Sequence, residues 1–415
     1  MTKSPIAIRG VTPGSSGGTV RFEALDSWRG LAAIFIILFH AQVASHVRDA
    51  ALVRAGEMFV DFFFVLSGFV IAHAYAGKIA GGADLGRFMM LRIGRVLPLH
   101  LVMLALFVAM EAGKAVVPGL GAPGDAAFTG TNELSAIFTN MFLVQVGTHD
   151  QLTWNTPAWS IAAELAAYVV FGIAALLVGR FLGLAAVAGA ALSLLVLWSL
   201  APKGMESTYD FGHFRAVYGL CIGVLAYRFM TARAAGPGLF AAMGGSLAAS
   251  TLVEMAAVAG ALAFMVYAYG TLAAFAAPFV FAAVVLVFAA EKGLVSTFLR
   301  AKPLVAVGAI SFSIYMVHMF LIMRVVNVAR LTDKLTGTQT VTQMGHGGQG
   351  IDLGSAYAGD LLILAIVALT VAVSAVTYRL IERPGRDWFR NRADRLFADS
   401  PRAASLDLAV ARSAG

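Results

Sequence analysis

Long runs of apolar residues recur along this chain of 415 residues, and they decide its class. A helix needs about 20 apolar residues to cross the hydrocarbon core of a bilayer, and several runs reach that length. Hydrophobic residues make up 59% of the sequence and charged residues only 13%, whereas a soluble domain has about 25% charged residues. The sequence therefore predicts an all-α, polytopic helical membrane protein.

About ten transmembrane helices are predicted. They cover residues 28–46, 57–77, 96–117, 156–178, 181–200, 211–230, 248–270, 272–290, 303–326 and 357–381. A short apolar stretch, 134–146, is expected to dip into the membrane interface within a longer connection. The chain then divides into a flexible cytoplasmic tail (1–24), a membrane domain (25–385) and a basic cytoplasmic tail (386–415).

Lysine and arginine residues are distributed unevenly between alternate loops. If the N-terminus is cytoplasmic, 21 of the 30 lie on the inner side and seven on the outer side, with Arg29 and Arg215 inside spans. Because inner loops of membrane proteins are enriched in these residues, both termini are predicted to be cytoplasmic. The net charge of +7 is then a consequence of orientation and does not indicate nucleic-acid binding. The single cysteine, Cys221, excludes an intramolecular disulfide and a Cys-based metal site.

Arg29 and His40 stand out in the first span, since ionisable groups are costly in hydrocarbon and usually mark a functional site there. Eleven residues correspond to about three helical turns, so both side chains leave the same face about 16 Å apart along the axis. With this orientation, Glu164 in the fourth span and His318 in the ninth come out at a depth similar to that of His40. We expect these three residues to form a catalytic layer together with Tyr315.

A second layer is predicted at the inner edge of the membrane, where Arg29, Arg87, Arg92 and Arg95 map. Arg92 and Arg95 are three residues apart and share a helix face. Arginine offers two parallel donors to a phosphate, which favours a phosphate-binding cluster. Anchoring to lipid headgroups explains the same residues equally well at this level.

Polar residues at helical spacing accompany both layers. Ser160, Glu164 and Tyr168 form a stripe in the fourth span, and Ser311, Tyr315 and His318 form one in the ninth. In the second span, Ser67-Gly68 interrupts an aromatic run and permits close approach of another helix. Supporting roles around the catalytic residues are predicted for five side chains, namely Asp61, Ser67, His73, Ser160 and Ser311.

The order and spacing of these segments resemble the acyltransferase 3 family of integral membrane acyltransferases, bacterial members of which O-acylate sugars. The resemblance is carried by LDSWRG (25–30) with His40, VDFFFVLSGF (60–69), RIGRVLP (92–98), Trp159-Ser160 with Glu164, SFSIYMVH (311–318) and ERP (382–384). It implies a protein of the bacterial inner membrane. The donor it implies is acyl-CoA, usually acetyl-CoA, bound as a co-substrate on the cytoplasmic side and not as a tightly held cofactor. The implied acceptor is a hydroxyl group, often on an envelope or exported glycan or glycolipid.

The family's functional arginines and histidine correspond to Arg29, Arg92, Arg95 and His40. We therefore expect the arginines to bind the phosphates of CoA and His40 to act as general base on the acceptor hydroxyl. Glu164 is expected to orient His40 or to handle the acceptor, and Tyr315 or His318 to stabilise the oxyanion. An acyl-histidine or acyl-serine intermediate is an alternative to direct transfer.

Three other functions are compatible with the same residues. A transporter or flippase of a lipid-linked sugar or small anion also uses intramembrane His and Glu, although no repeated halves are present. A hydroxylated natural product is an alternative acceptor to a glycan, and a non-catalytic sensor or scaffold is a third class. Membrane lipids are the remaining predicted partners, and the sequence does not indicate an oligomeric state.

Overall fold

The computed structural model describes residues 21–116, 126–234, 246–344 and 348–397, and the statements below concern those residues. Most of both predicted tails, residues 1–20 and 398–415, therefore lies outside the described part of the chain. The described part is predominantly helical, with one short β-hairpin.

The helices are numbered in chain order. They are α1 (Glu23–His40), α2 (His46–Asp49), α3 (Ala51–Arg54), α4 (Phe59–Tyr75), α5 (Gly82–Val116), α6 (Ser135–Met141), α7 (Ala158–Val178), α8 (Leu182–Ser199), α9 (Gly212–Ala234), α10 (Leu247–Ala268), α11 (Ala277–Ala289), α12 (Leu294–Leu299), α13 (Lys302–Ala309), α14 (Ser311–Thr336), α15 (Ala356–Thr377) and α16 (Arg383–Leu396). Short 3₁₀ turns occur at Ala55–Met58, Gly130–Asn132, Gly179–Phe181, Gly204–Glu206 and Leu272–Ala276, and a π-helix, Tyr378–Glu382, joins α15 to α16.

Within the described ranges, seven helical stretches are long and apolar enough to cross a membrane, and the protein is an integral membrane protein. One of them, Ala158–Ser199, contains both α7 and α8 and so covers two of the ten predicted spans. The two predicted spans outside this set are α1 and α9, which carry ionisable residues such as Arg29 and Arg215. The all-α class is confirmed, whereas the number of ten spans and the side of each terminus remain predictions.

Glycine residues allow the central helices to approach closely. A Cβ atom at Gly68 in α4 would clash with the backbone carbonyl of Leu220 in α9, and one at Gly223 in α9 would clash with that of Val65 in α4. A similar crossing brings Gly30 of α1 onto Gly308 of α13, where a Cβ would lie 2.8 Å from the backbone nitrogen. Small residues at helix crossings are typical of membrane bundles, in which packing replaces the hydrophobic effect.

A β-hairpin closes the end of the bundle at which α1 finishes. Strands β1 (Val341–Met344) and β2 (Gly348–Ile351) pair antiparallel, and Ile351 exchanges backbone hydrogen bonds with Gln42 and Ala44, just after α1. This segment lies between two predicted spans, and its Gly, Thr and Gln residues show no apolar alternation. Pairing with a distant segment supplies the hydrogen bonds that stabilise the strands.

The opposite end of the bundle is covered by α16. It packs along α5, where the Arg87 guanidinium bonds the Asp394 carboxylate at 2.8 Å. The predicted boundary at residue 385 falls inside this helix, so residues 386–397 pack on the membrane domain and extend its structure.

Candidate functional site

A large cavity lies between α1, α4, α5, α7 and α14, and α16 contributes Arg386 and Arg390 to its lining. It contains about 1500 Å³ of empty space, including its open mouth. Its lining extends from the start of α1 and the end of α4, which we call the wide end, to Phe63, Ser160 and Tyr315, which we call the narrow end. If α1 begins at the cytoplasmic face, as predicted, the cavity opens to the cytoplasm.

Arginines dominate the polar lining of the cavity. Six line it, namely Arg21, Arg29, Arg92, Arg95, Arg386 and Arg390. Asp26 partly neutralises two of them, since its carboxylate lies 2.8 Å from Nε of Arg21 and 3.5 Å from Nη1 of Arg29. The structure thus brings together the three arginines expected to bind phosphate and adds three that the sequence analysis did not select.

Arg92 and Arg87 have different environments although they are only five residues apart in α5. The Arg92 guanidinium lies 5.5 Å from the ring centre of Tyr75 and 6.0 Å from that of Tyr168, and it donates to the Tyr75 hydroxyl at 3.4 Å. These rings hold Arg92 against the cavity. Arg87 is 1% exposed and bonds Asp394, so it anchors α16 and does not line the cavity.

Glu382 lies behind the arginines, in the π-helix between α15 and α16. It is 2% exposed and accepts a hydrogen bond from Ser313 Oγ at 2.6 Å. Its carboxylate acts electrostatically on Arg95, Arg386 and Arg29. The sequence analysis quoted Glu382 within a motif but gave it no role, because local sequence does not show which distant arginines it meets.

A chain of hydroxyl groups connects Glu164 to α4. Tyr168 donates to Glu164 Oε1 at 2.5 Å, and the Ser67 hydroxyl lies 2.6 Å from the Tyr168 oxygen. Because the Tyr168 proton is given to the carboxylate, Ser67 is the donor in the second bond. Glu164 also acts electrostatically on Arg29 and Arg92, so it belongs to the arginine side of the site.

Ser160 and Tyr315 meet at the narrow end of the cavity. The two hydroxyl oxygens lie 2.8 Å apart, and the Tyr315 hydroxyl also donates to the carbonyl of Pro157 at 3.2 Å. Pro157 directly precedes α7 and leaves this carbonyl at the helix start. The predicted stripes of α7 and α14 therefore face one another through these two hydroxyls.

His40 and His318 form a pair beyond Tyr315. Nδ1 of His40 and Nε2 of His318 lie 3.3 Å apart, and the ring centres are separated by 5.0 Å. Nδ1 of each ring also contacts a backbone carbonyl, Ile36 at 2.9 Å for His40 and Tyr315 at 2.6 Å for His318. A carbonyl only accepts, so both Nδ1 atoms carry protons and both Nε2 atoms of the neutral rings carry lone pairs.

These proton positions distinguish the two rings. His318 is fully buried, and its Nε2 accepts from His40 Nδ1, which shares its proton between His318 and Ile36. His40 is half-buried, and both of its hydrogen bonds within the described residues involve Nδ1, not Nε2. Of the two Nε2 atoms, that of His40 is therefore the one whose lone pair is available to accept a proton.

The histidine pair and the cavity are separated by aromatic rings. Neither histidine lines the cavity, whereas Tyr315 and Phe63 do. The Tyr315 ring lies 5.7 Å from the His318 ring and 6.0 Å from the Phe63 ring. Tyr315 thus connects the lining of the cavity to the histidine pair.

The expectation that Glu164 lies level with His40 and orients it is not met. Glu164 follows Ser160 by one turn toward the wide end of the cavity, whereas His318 follows Tyr315 by one turn in the other direction. Since Ser160 and Tyr315 contact each other, Glu164 and His318 are about 10 Å apart along the helix axes. The groups that orient His40 are His318 and the Ile36 carbonyl.

The other residues predicted to support the site are divided between two places. Ser67, His73 and Ser311 line the cavity, and the His73 ring packs 5.2 Å from the Phe22 ring. Asp61 lies elsewhere, in a bidentate ion pair with Arg215 in which both oxygen–nitrogen distances are 2.9 Å. Asp61 is therefore a structural residue and not a neighbour of His40.

Comparison with known proteins extends the resemblance seen in the motifs. The model of the Acyl_transf_3 family, described as an acyltransferase domain, matches residues 22–379. "Protein 2 in picA locus" of Rhizobium radiobacter is 37% identical over 165 residues, which is 36% of this chain and 81% of that protein. "Acyltransferase MdmB" of Streptomyces mycarofaciens is 27% identical over 164 residues, 37% of this chain and 38% of that protein. No solved structure matches the chain significantly.

Proposed function

The chain belongs to the acyltransferase 3 family and is an acyltransferase, and on this premise we propose that it transfers an acetyl group from acetyl-CoA to a sugar hydroxyl. The acceptor is a glycan or glycolipid of the cell envelope or one that is exported. The protein resides in the inner membrane of a bacterium, with the cavity open to the cytoplasm. The observation that carries the proposal is an arginine-lined cavity that ends at Tyr315, whose ring lies 5.7 Å from the ring of His318 in the histidine pair.

The donor enters from the cytoplasm. Arg29, Arg92 and Arg95 bind the phosphates of acetyl-CoA, since guanidinium groups form charge-assisted, bidentate bonds with phosphate oxygens. Glu164 positions this layer, because its bond to Tyr168 fixes a ring that faces Arg92. The pantetheine arm then extends through the cavity, and its thioester reaches Tyr315.

His40 performs the proton transfers. Its Nε2 takes the proton of the acceptor hydroxyl as the hydroxyl oxygen attacks the thioester carbonyl, and a carbon–oxygen bond forms. The carbon–sulfur bond then breaks, the thiolate of CoA leaves, and the proton on His40 Nε2 passes to it. Nδ1–H of His40 donates to His318 and to the Ile36 carbonyl throughout, which holds the ring in the required tautomer and stabilises the transient imidazolium.

Tyr315 supplies a hydrogen bond to the tetrahedral intermediate. Nε2 of His318 acts as an acceptor in the pair and has no proton to offer, whereas the Tyr315 hydroxyl has one. When the Tyr315 hydroxyl turns toward the oxyanion, the Pro157 carbonyl keeps a hydrogen-bond donor, because Ser160 Oγ lies 3.1 Å from it.

The proposal is tested in a strain that lacks the gene. The strain is complemented with the native protein, with His40→Ala or with His46→Ala, and base-labile acetyl groups are measured on envelope and secreted glycans. His46 is the matched control, because its side chain is 58% exposed and lies outside the site. Removing a general base costs about 10²–10⁴-fold in rate, so His40→Ala should lose the modification while His46→Ala retains it.

Two outcomes contradict the proposal, and a third would favour a different function. Full modification with a His40→Ala protein that reaches the membrane would exclude His40 as the base. Glycans that are identical with and without the gene would exclude a glycan acceptor. Movement of a lipid-linked sugar without consumption of acyl-CoA would support a flippase.

A further inference from the structure

Asn155 joins the segment just before α7 to α14. Its Nδ2 donates to the Met316 carbonyl at 3.0 Å, and the residue is only 2% exposed. Met316 directly follows Tyr315 in α14, and the Tyr315 hydroxyl meets Ser160 in the first turn of α7. The bond from Asn155 therefore ties together the two helices that carry the contact between Ser160 and Tyr315.

Asn155 does not cap α7, although capping is the usual role of an asparagine just before a helix. A capping side chain accepts, through its oxygen, a hydrogen bond from one of the first backbone N–H groups of the helix. The start of α7 has no side-chain cap, and Oδ1 of Asn155 has no hydrogen-bond partner among the described residues. The amide of Asn155 thus serves as a donor to another helix.

The Met316 carbonyl does not depend on Asn155 for a partner. It lies inside α14, where a carbonyl accepts from the N–H group four residues further along the helix. A carbonyl oxygen has two lone pairs, so the amide of Asn155 can bind the second one. The bond adds a connection between positions 161 residues apart in sequence, and its effect is on the register of α14 against α7.

This register matters because the Tyr315 hydroxyl changes its partner in the proposed reaction. In the structure it donates to the Pro157 carbonyl at 3.2 Å, and this bond breaks when the hydroxyl turns toward the oxyanion. The bond from Asn155 does not involve the phenol, so it persists while the hydroxyl moves. It can therefore keep α14 in place on α7 at the step in which the oxyanion needs a fixed donor.

We propose that Asn155 is a positioning residue that holds the Tyr315 hydroxyl where the oxyanion forms. This inference rests on the proposed function, because it requires Tyr315 to be the oxyanion donor. Asn155 does not line the cavity, so it acts through Tyr315 and not on the thioester itself.

The test measures initial rates of acetyl transfer from labelled acetyl-CoA to the endogenous glycans in membranes of the gene-deleted strain. The membranes contain equal amounts of the native protein, of Asn155→Leu or of Asn140→Leu. Asn140 is the matched control, because its buried amide donates to Ala136 and Thr153, outside α7 and α14. Asn155→Ala is measured alongside, since it removes the same donor and introduces a smaller side chain.

Misplacing a catalytic group by about 1 Å can cost on the order of 100-fold in rate, so Asn155→Leu should lower the maximal rate by about 10- to 100-fold. The KM for acetyl-CoA should change by less than about twofold, because the arginines of the cavity are untouched. In a Tyr315→Phe protein, which lacks the oxyanion donor, Asn155→Leu should cost less than about threefold more. A role in stability alone would give the same factor with and without the Tyr315 hydroxyl.

The possible results separate this inference from the proposed function. Native membranes that transfer no acetyl group to glycans would overturn the proposed function and the inference with it. Equal factors for Asn155→Leu with and without the Tyr315 hydroxyl, or an equal loss in Asn140→Leu, would overturn the inference alone. Native rates in both Asn155→Leu and Asn155→Ala would do the same.

Discussion

The buried ion pair between Asp61 and Arg215 should contribute to stability and not to chemistry. Both side chains are 2% exposed, and the carboxylate and guanidinium share two bonds of 2.9 Å. A third bond of 2.9 Å joins Arg215 to Glu57, whose side chain is 21% exposed. Removing one partner of a buried ion pair leaves the other charge without compensation and costs about 3–5 kcal/mol.

We therefore expect Asp61→Ala to reduce the free energy of unfolding by about 3–5 kcal/mol. Glu57→Gln should cost about 1 kcal/mol or less, because this carboxylate is partly screened by solvent. Replacing both members of the pair, with Asp61→Leu and Arg215→Met, should restore most of the lost stability, since no unpaired charge then remains.

Thermal unfolding of the purified protein in detergent measures these differences. For Asp61→Ala we expect the melting temperature to fall by roughly 5 °C or more, with a much smaller shift for the double replacement. An Asp61→Ala protein that melts with the wild type would refute the reasoning. So would a double variant that is folded and stable but has no transferase activity, because that result would give Asp61 or Arg215 a chemical role.

Two further substitutions test the packing around the site. Gly68→Ala should destabilise the crossing of α4 and α9 by about 1–3 kcal/mol, because the new Cβ would clash with the Leu220 carbonyl. The matched control is Gly260→Ala, since a Cβ there would have nothing within 4 Å. Equal melting temperatures for the two variants would contradict the close crossing. Tyr168→Phe leaves the Glu164 carboxylate without its 2.5 Å hydrogen bond and should cost about 1–3 kcal/mol in thermal unfolding, while CoA affinity changes less than threefold because the ring facing Arg92 is kept. A Tyr168→Phe protein with unchanged stability would show that this bond contributes nothing.

The contacts of His40, His318 and Glu164 show which contacts helical spacing predicts and which it does not. Spacing along α1 and α14 places His40 and His318 at a similar depth, and in the structure they are in contact. The same depth argument failed for Glu164, because depth was counted from an assumed end of the fourth span. The contact between Ser160 and Tyr315 sets the true register of the two helices.

The residues that the sequence analysis missed share a physical cause. Arg386 and Arg390 occur in a run of basic residues that has the composition of a solvated cytoplasmic tail. Only the packing of Gly385 on Pro98 and of Phe389 on Gly94 turns one face of that helix toward the cavity. Arg215 was recognised as an arginine inside a span, but its partner Asp61 is 154 residues away in sequence.

The sequence by itself determined the membrane class, the helical architecture and the inventory of ionisable residues, because hydropathy and helical period are local properties. The tertiary structure decided which of those residues meet, since contacts between helices depend on register, crossing and glycine positions that no single helix contains. It joined His40 to His318, assigned Glu164 to the arginines, separated Asp61 from the site and added α16 to the lining of the cavity.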